Sequence, residues 1–220
     1  MKTLLRFAFV YFVSTAIVFA DTTITIKFDD IPSVSGPSGN FPVVTNGYNG
    51  FQWSNFYVVD ALDSSIPSGG QNGTVSPKNV AFNANGNPAN FSSSGAFALD
   101  SAYLTAAWND GLQLEVQGFV GTTLTYDNTY TLNTAGPVLV NFKYLGVDEV
   151  NFISSGGTHH SGYSGAGTQF AMDNLTVTVP EPNALSLFGI GALILCWRIK
   201  PNKLLRRPPV AVAQLVRLPV

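Results

Sequence analysis

Residues 22–29 read Thr22-Thr-Ile24-Thr-Ile26-Lys-Phe28-Asp29, with an apolar side chain at every second position. Because successive side chains of a β-strand point to opposite faces, this spacing predicts a strand with one apolar and one polar face. The same alternation recurs at 112–117, 138–143 and 174–179. Between residues 21 and 178 no stretch has the helical period over an adequate length, so the sequence predicts an all-β domain.

Pairs of turn-forming residues interrupt these strands at short intervals. They are Asn46-Gly47, Asn49-Gly50, Gly69-Gly70, Asn72-Gly73, Asn85-Gly86, Asp110-Gly111 and Gly156-Gly157. Many short strands separated in this way favour an antiparallel β-sandwich of jelly-roll type, with a β-barrel as the main alternative. Two long polar loops, 31–50 and 64–78, are expected on the surface, where binding loops usually lie.

The first 20 residues have the composition of a secretory signal peptide. Lys2 and Arg6 precede a mostly apolar stretch, which closes on Ala20. This pattern predicts an exported chain with an N-terminal signal helix that is cleaved after Ala20, so that the mature domain begins at Asp21. A buried N-terminal helix is the alternative interpretation.

Charge divides the remainder of the chain into two unlike parts. Residues 21–178 contain twelve acidic residues and three lysines. Such a domain should repel nucleic acid, and we expect no nucleic-acid partner. Residues 183–220 contain no acidic residue, and their single cysteine, Cys196, is the only one in the chain. The acidic domain therefore has no internal disulfide to stabilise it.

The C-terminal part resembles a membrane anchor. Residues 183–199 are apolar over about the minimum length that crosses a bilayer as a transmembrane helix. A basic cluster at 198–207 follows, which places the C-terminus in the cytoplasm and the acidic domain outside. The cluster consists of Arg198, Lys200, Lys203, Arg206 and Arg207.

The four residues before this segment are Val179, Pro180, Glu181 and Pro182. Together with the apolar helix and the basic cluster, they resemble the PEP-CTERM sorting signal of Gram-negative bacteria, which would occupy 179–207. The resemblance implies an exosortase-type processing enzyme as partner, transient anchoring in the membrane, and release to the cell envelope or extracellular space. It also implies an association with exopolysaccharide and biofilm formation. Residues 208–220 are an atypical extension of that signal. An ordinary permanent anchor remains the alternative.

Parts of the domain at 21–178 resemble a second group of proteins. The stretches 47–56, 79–83, 102–110 and 167–175 are similar to those of secreted β-sandwich modules from bacteria and filamentous fungi. This resemblance implies extracellular placement and a lectin-like or jelly-roll architecture.

Acidic residues lie at both ends of the domain. Asp29 and Asp30 follow the first predicted strand, and Asp173 lies in the last. In jelly rolls the two terminal strands are neighbours, and several carboxylates at such a seam would suit calcium. We expect a structural calcium site at these residues; turn-capping or solvent-facing aspartates are the alternative.

Aromatic residues offer a candidate binding site for sugars. Trp53, Tyr57 and Trp108, with Asn109, could form a carbohydrate platform, because sugar rings stack on aromatic planes and amides bind their hydroxyls. Phe51 and Trp53 share a strand face, however, which is the pattern of a buried pair. A core position is therefore the alternative for Trp53.

The sequence contains none of the common catalytic motifs. It lacks a nucleophile elbow, a His-Glu-x-x-His helix, a phosphate loop and an activated cysteine. His159 and His160 lie in a glycine-rich loop without carboxylates at ligand spacing, so we expect a solvated loop there. Glu115 and Glu149 are the one candidate glycosidase pair.

These observations predict a non-enzymatic exported protein of the cell envelope or extracellular matrix, either structural or glycan-binding. A secreted polysaccharide hydrolase and a permanently tethered adhesion module are the alternatives.

Overall fold

The computed structural model describes residues 21–33, 40–62 and 65–180. The predicted signal helix at 1–20, the predicted transmembrane helix at 183–199, the basic cluster and the extension at 208–220 lie outside these ranges. Within the described ranges, no helix has both the length and the apolar character needed to span a bilayer.

The described residues form eleven β-strands and very little helix. A single turn of α-helix, α1, covers Gly69–Asn72, and two 3-10 turns cover Tyr48–Gly50 and Ala84–Gly86. The strands are β1 Asp21–Ile26, β2 Gln52–Ser54, β3 Phe56–Asp60, β4 Asn79–Asn83, β5 Ala89–Ala106, β6 Asn109–Asp110, β7 Leu112–Val120, β8 Thr123–Leu132, β9 Val138–Ser155, β10 Thr158–His159 and β11 Phe170–Pro180. The all-β prediction is confirmed.

Nine of the strands are hydrogen-bonded in the order β3-β4-β11-β5-β9-β7-β8, with β1 added to β11 and β2 to β5. Their pairings are antiparallel. β1 and β11 are neighbours, with Ile26 opposite Leu175, as expected for the first and last strands. The antiparallel arrangement is confirmed, whereas the jelly-roll connection stays a prediction.

The two long strands, β5 and β9, change register several times along their pairing. Shifts occur between Ser92 and Phe97, between Phe97 and Leu99, and between Leu99 and Ser101. Bulges of this kind bend a strand and increase its twist. Because of these bends, β5 and β9 can curve around the main core and border a large part of it.

That core is rich in aromatic side chains. The alternation seen in the sequence places Leu112, Leu114 and Val116 inside, all fully buried. Aromatic rings pack around them, often edge to face: Phe51, Trp53, Phe56, Phe91, Phe97, Phe152 and Phe170. Burial of this much apolar area supplies the stability of a domain without disulfides.

Candidate functional site: an apolar cleft on the outer sheet face

The strands β3, β4 and β11 carry apolar side chains on both of their faces. On β3, Phe56 and Val58 enter the main core, while Tyr57 and Val59 point the other way. Tyr57 lies opposite Phe82, and Val59 opposite Val80. The outer face of an antiparallel sheet is usually polar. An apolar outer face is therefore a candidate binding surface.

Two buried asparagines fix the orientation of β4. The side-chain amide of Asn79 donates to the carbonyl oxygens of Phe28 and Ile31 at 2.8 and 3.0 Å. That of Asn83 donates to Asn87 O and Ser154 Oγ, both at 3.0 Å. Because these inward amides have partners inside the fold, the alternate residues of β4 must point outward. Val80 and Phe82 are turned to the outer face as a result.

A cleft of about 490 Å³ lies over this face. Its floor consists of the outward residues of β3 and β4 with Ala171 of β11. Phe41, from the loop before β2, and Ile66, Ser68 and Gly70, from the loop after β3, also line it. Trp108, Ala107, Gln169 and Asn85 line it as well. Both loops that the sequence predicted as surface binding loops thus contribute to one cleft.

Trp108 is held in place from behind by the glycine-rich loop at 156–167. The Gly165 backbone packs so closely on the indole that a Cβ at this position would lie 2.4 Å from the ring. Tyr163 meets the indole edge to face, with ring centroids 6.4 Å apart. The backbone amide of His160 donates to Trp108 O at 2.8 Å. The loop therefore fixes the position of a partly exposed tryptophan that lines the cleft.

The same loop is tied to the sheet by one carboxylate. Asp110 lies 2.6 Å from His160 Nδ1, and accepts hydrogen bonds from Thr134 N and Thr134 Oγ1 at 2.9 and 2.7 Å. The bond to His160, then those from Thr134, lower the pKa of Asp110 to about 2. The glycine-rich loop at 156–167, which the sequence predicted to be solvated, is thus attached to the sheet through His160.

This cluster does not have the geometry of a catalytic triad. The Thr134 hydroxyl and the Asp110 carboxylate both lie at Nδ1 of His160, at 3.1 and 2.6 Å. In a triad the nucleophile and the carboxylate occupy opposite ring nitrogens, so that one proton can be relayed. Thr134 instead donates its proton to Asp110 and is fully buried. The arrangement positions a loop.

Two of the aspartates predicted to bind calcium anchor the other loop that lines the cleft. Asp173 is fully buried and accepts from the backbone amides of Val75 and Ser76, both at 2.7 Å. It also accepts from Ser76 Oγ at 2.8 Å. Asp29 accepts from the amides of Lys78 and Asn79 at 3.2 and 3.0 Å. These bonds fix the end of the loop that leads into β4.

The third predicted calcium ligand has a different partner. Asp30 accepts a hydrogen bond from the Tyr48 hydroxyl at 2.6 Å. Burial, and then this bond, raises the pKa of Tyr48. Across the described ranges, no three His, Cys, Asp or Glu side chains form a group suited to a metal ion. Calcium binding at Asp29, Asp30 and Asp173 stays a prediction.

The structure separates the four residues predicted to bind sugar. Tyr57 and Trp108 both line the cleft. Trp53 is only 6% exposed, and its indole N–H donates to Tyr48 O at 2.9 Å. Asn109 pairs with His159 and donates its side-chain amide to Gly156 O at 2.9 Å, away from the cleft lining. Trp53 thus has the core position that was the alternative for it, and sugar binding at these four residues stays a prediction.

The glutamates of the hydrolase alternative are far apart along the sheet. Glu115 lies opposite Ile153, and Glu149 lies opposite Phe119. Four residues of strand separate the two positions, which is about 13 Å. Glycosidase carboxylates lie about 5–9.5 Å apart. Neither glutamate lines the cleft.

Several lining residues were not predicted from the sequence: Phe41, Ile66, Phe82, Asn85 and Gln169. Phe82 had a signal, since the stretch 79–83 places asparagines where an alternating strand should be apolar. The others lie in loops or turns, where the side-chain direction does not follow from periodicity. Their common position in one cleft therefore does not follow from the sequence.

Comparison with known protein families assigns the end of the chain. Residues 178–200 match the PEP-CTERM protein-sorting motif. The chain carries a PEP-CTERM sorting motif. This confirms the resemblance noted at Val179, Pro180, Glu181 and Pro182, and the motif implies export, anchoring by the C-terminal region and processing by an exosortase-type enzyme. A search of curated proteins gave no match to the PEP-CTERM chain.

One of three similar solved structures supports the fold of the domain. A DUF4465 family protein from Bacteroides caccae ATCC 43185 superposes with a TM-score of 0.51 at 9% identity, covering 73% of this chain and 100% of that one. A DUF4465 family protein from Bacteroides ovatus ATCC 8483 has a TM-score of 0.49 at 8% identity, covering 73% of this chain and 99% of that one. TmCBM61 in complex with β-1,4-galactotriose has a TM-score of 0.31 at 7% identity, covering 66% of this chain and 100% of that one. At 9% identity, the first likeness shows a shared β-sandwich fold alone.

Proposed function

We propose that this exported protein is a non-catalytic glycan-binding component of the cell envelope or extracellular matrix, and that it binds sugar in the outer cleft. The observation that carries the proposal is the apolar outer face of β3 and β4. Tyr57, Phe82 and Trp108 are only partly buried there. An exported protein with partly exposed aromatic rings in a cleft has a surface suited to the C–H faces of sugar rings.

The cleft also supplies the polar groups that a sugar needs. Ser68, Asn85 and Gln169 line it beside the aromatic rings. Amide and hydroxyl groups can both donate to and accept from sugar hydroxyls. The volume of about 490 Å³ lies in the range of small-molecule sites and would hold a few sugar units of a longer chain.

The walls of the cleft are built before any ligand arrives. Asp173 and Asp29 fix the loop before β4, and Asp110 fixes the loop behind Trp108. A site that is ordered in advance loses less conformational entropy on binding. This organisation supports recognition. Hydrolysis would require a pair of carboxylates in the cleft, and no carboxylate of the described residues lines it.

The test is binding of the full chain, purified in a detergent without a sugar headgroup, to immobilised glucan, galactan, mannan and xylan. We expect Trp108→Ala and Tyr57→Ala to weaken binding by about tenfold, or roughly 1.4 kcal/mol. Trp53→Phe is the matched control, because Trp53 is buried outside the cleft; it should retain affinity.

Three results would contradict the proposal. One is affinity for these polymers that Trp108→Ala leaves unchanged, which would place the site elsewhere. Another is release of reducing sugar from the bound polymer by the wild-type protein, which would show a hydrolase. Absence of binding to every polymer would remove the glycan-binding function altogether.

A further inference from the structure

The described residues that line the outer cleft are all uncharged. Within the ranges 21–33, 40–62 and 65–180, no Asp, Glu, Lys, Arg or His lines it. Its polar groups are the hydroxyls of Ser68 and Tyr57 and the amides of Asn85 and Gln169. Proteins bind carboxylate, sulfate and phosphate groups with arginine or lysine, which neutralise the charge as it leaves water. No such group is present among the described residues that line this cleft.

Lys27, Lys78 and Lys143, the lysines of the domain, are not among the described residues that line the cleft. Residues 21–178 contain no arginine and only three lysines, against twelve acidic residues. Lys78, which follows the loop that lines the cleft, lies 3.3 Å from Asp60 and is paired with it. Lys143 lies on β9, outside the strands that form the floor. A negatively charged polymer would also be repelled over distance by the acidic domain.

The two amides at the cleft lie on neighbouring segments. Asn85 lies in the turn at 84–86, and the Thr168 hydroxyl donates to Gly86 O in the same turn at 3.2 Å. Gly86 approaches Thr168 so closely that a Cβ would overlap its side chain. Gln169 follows directly, and its Oε1 has no hydrogen-bond partner among the described residues. A sugar hydroxyl could satisfy that acceptor after a side-chain rotation.

We propose that the outer cleft selects uncharged glycans and rejects polymers that carry uronate, sulfate or phosphate groups. This inference rests on the proposed function, since it specifies the ligand class of the same site. Two effects act together. A neutral sugar gains stacking and amide hydrogen bonds, whereas a charged sugar must lose its hydration with no cation to replace the water.

The test compares two forms of one polymer. Of the glucan, galactan and mannan, the polymer that binds best is oxidised at its free primary hydroxyls with catalytic TEMPO and hypochlorite as the oxidant, which converts those C6 carbons to carboxylates and leaves the backbone intact. We expect the oxidised form to bind the full chain at least about tenfold more weakly at low salt. At 0.5 M salt only part of the affinity should return, because screening removes the long-range repulsion but leaves the desolvation cost.

A variant that introduces a positive charge tests the same point from the protein side. Gln169→Lys places a cation at the cleft, and we expect it to restore binding of the oxidised polymer by about fivefold. Gln169→Leu, which removes the amide without adding charge, should weaken binding of the neutral polymer and give no such recovery.

Each outcome has a distinct meaning. Equal or tighter binding of the oxidised polymer, lost in Trp108→Ala, would overturn the selectivity and leave glycan binding at the cleft intact. Neutral binding that does not depend on Trp108 would overturn the proposed site and the inference with it. Preference for the neutral form together with recovery in Gln169→Lys supports both.

Discussion

Asp21 pairs with Pro180 at the outer end of the ladder between β1 and β11. The first residue after the predicted signal cleavage site thus lies opposite the first proline of the sorting motif. Val179, the residue before it, packs partly buried against the core and lies opposite Thr22. The two ends of the domain, one beside the predicted signal cleavage site and the other at the start of the sorting motif, therefore pair with each other in the sheet.

Processing at both ends should leave the sandwich intact. The mature protein from its native host is expected to begin at Asp21 and to end near Pro182. Among the described residues the last fully buried side chain is Val177, so these ends lie outside the buried core. Mass spectrometry of the intact protein measures both ends. Persistence of the peptide through Val220 in wild-type cells would show a permanent anchor. The melting temperatures of the processed and full-length forms should agree within about 3 °C.

Removal of the Asp173 carboxylate should destabilise the domain strongly. Asp173→Ala leaves the amides of Val75 and Ser76 without their partner in the interior, which costs about 3 kcal/mol. Urea unfolding measures this change. Asp127→Asn, on the exposed strand β8, is the control and should lie within about 0.5 kcal/mol of wild type.

The same variants decide the calcium hypothesis. If hydrogen bonding is the role of Asp173, EDTA should leave the wild-type midpoint unchanged, and the loss in Asp173→Ala should be equal with and without calcium. A wild-type midpoint that falls in EDTA and recovers with added calcium would show that a metal ion binds the folded domain.

The contact between Asp110 and His160 should give a small dependence of stability on pH. The pKa of Asp110 is lowered from 3.8 to about 2 by His160 and Thr134. A carboxyl whose pKa is lowered by folding stabilises the folded state at every pH above its pKa in the unfolded chain. This stabilisation is lost as the pH falls from about 4 through 2.

Asp110→Asn should therefore melt below wild type at pH 6, by no more than about 3 °C, because both side chains are more than a third exposed. The two melting temperatures should converge near pH 2. A difference that is constant from pH 6 to pH 2 would show that the charge of Asp110 plays no part.

A methyl group at Gly165 should displace the indole of Trp108. Gly165→Ala places a Cβ within 2.6 Å of three atoms of that ring. We expect about fivefold weaker binding of a neutral glycan, or roughly 1 kcal/mol. Gly95→Ala is the matched control, since its Cβ would meet no atom within 4 Å. Equal affinity in both variants would show that the position of Trp108 does not matter for binding.

Much of the fold followed from local spacing. The alternation at Leu112, Leu114 and Val116 gave a strand and its buried face correctly, since a period of two leaves only one choice of faces. The pattern at 138–143 succeeded only in part, because Val138 at the end of its strand is 44% exposed. The position at which a strand's side chains become buried depends on which segments pack against it, and the spacing of residues does not identify those segments.

The site followed less directly. Trp53 and Trp108 look equivalent as aromatic residues of a β-rich chain, yet one is in the core and the other lines the cleft. The aspartates looked like metal ligands because their chemistry suits calcium. Their observed partners are backbone amides 97 and 98 residues away in the chain for Asp173, and about 50 for Asp29. No local pattern encodes such contacts.

The sequence by itself determined the β class, the acidic character of the domain and the sorting motif at its end, because each depends on residue type at short spacing. Only the tertiary structure decided which aromatic rings face outward and which acids anchor loops. Those properties arise when strands distant in the chain pair in one register and turn a buried amide, such as that of Asn83, toward the interior.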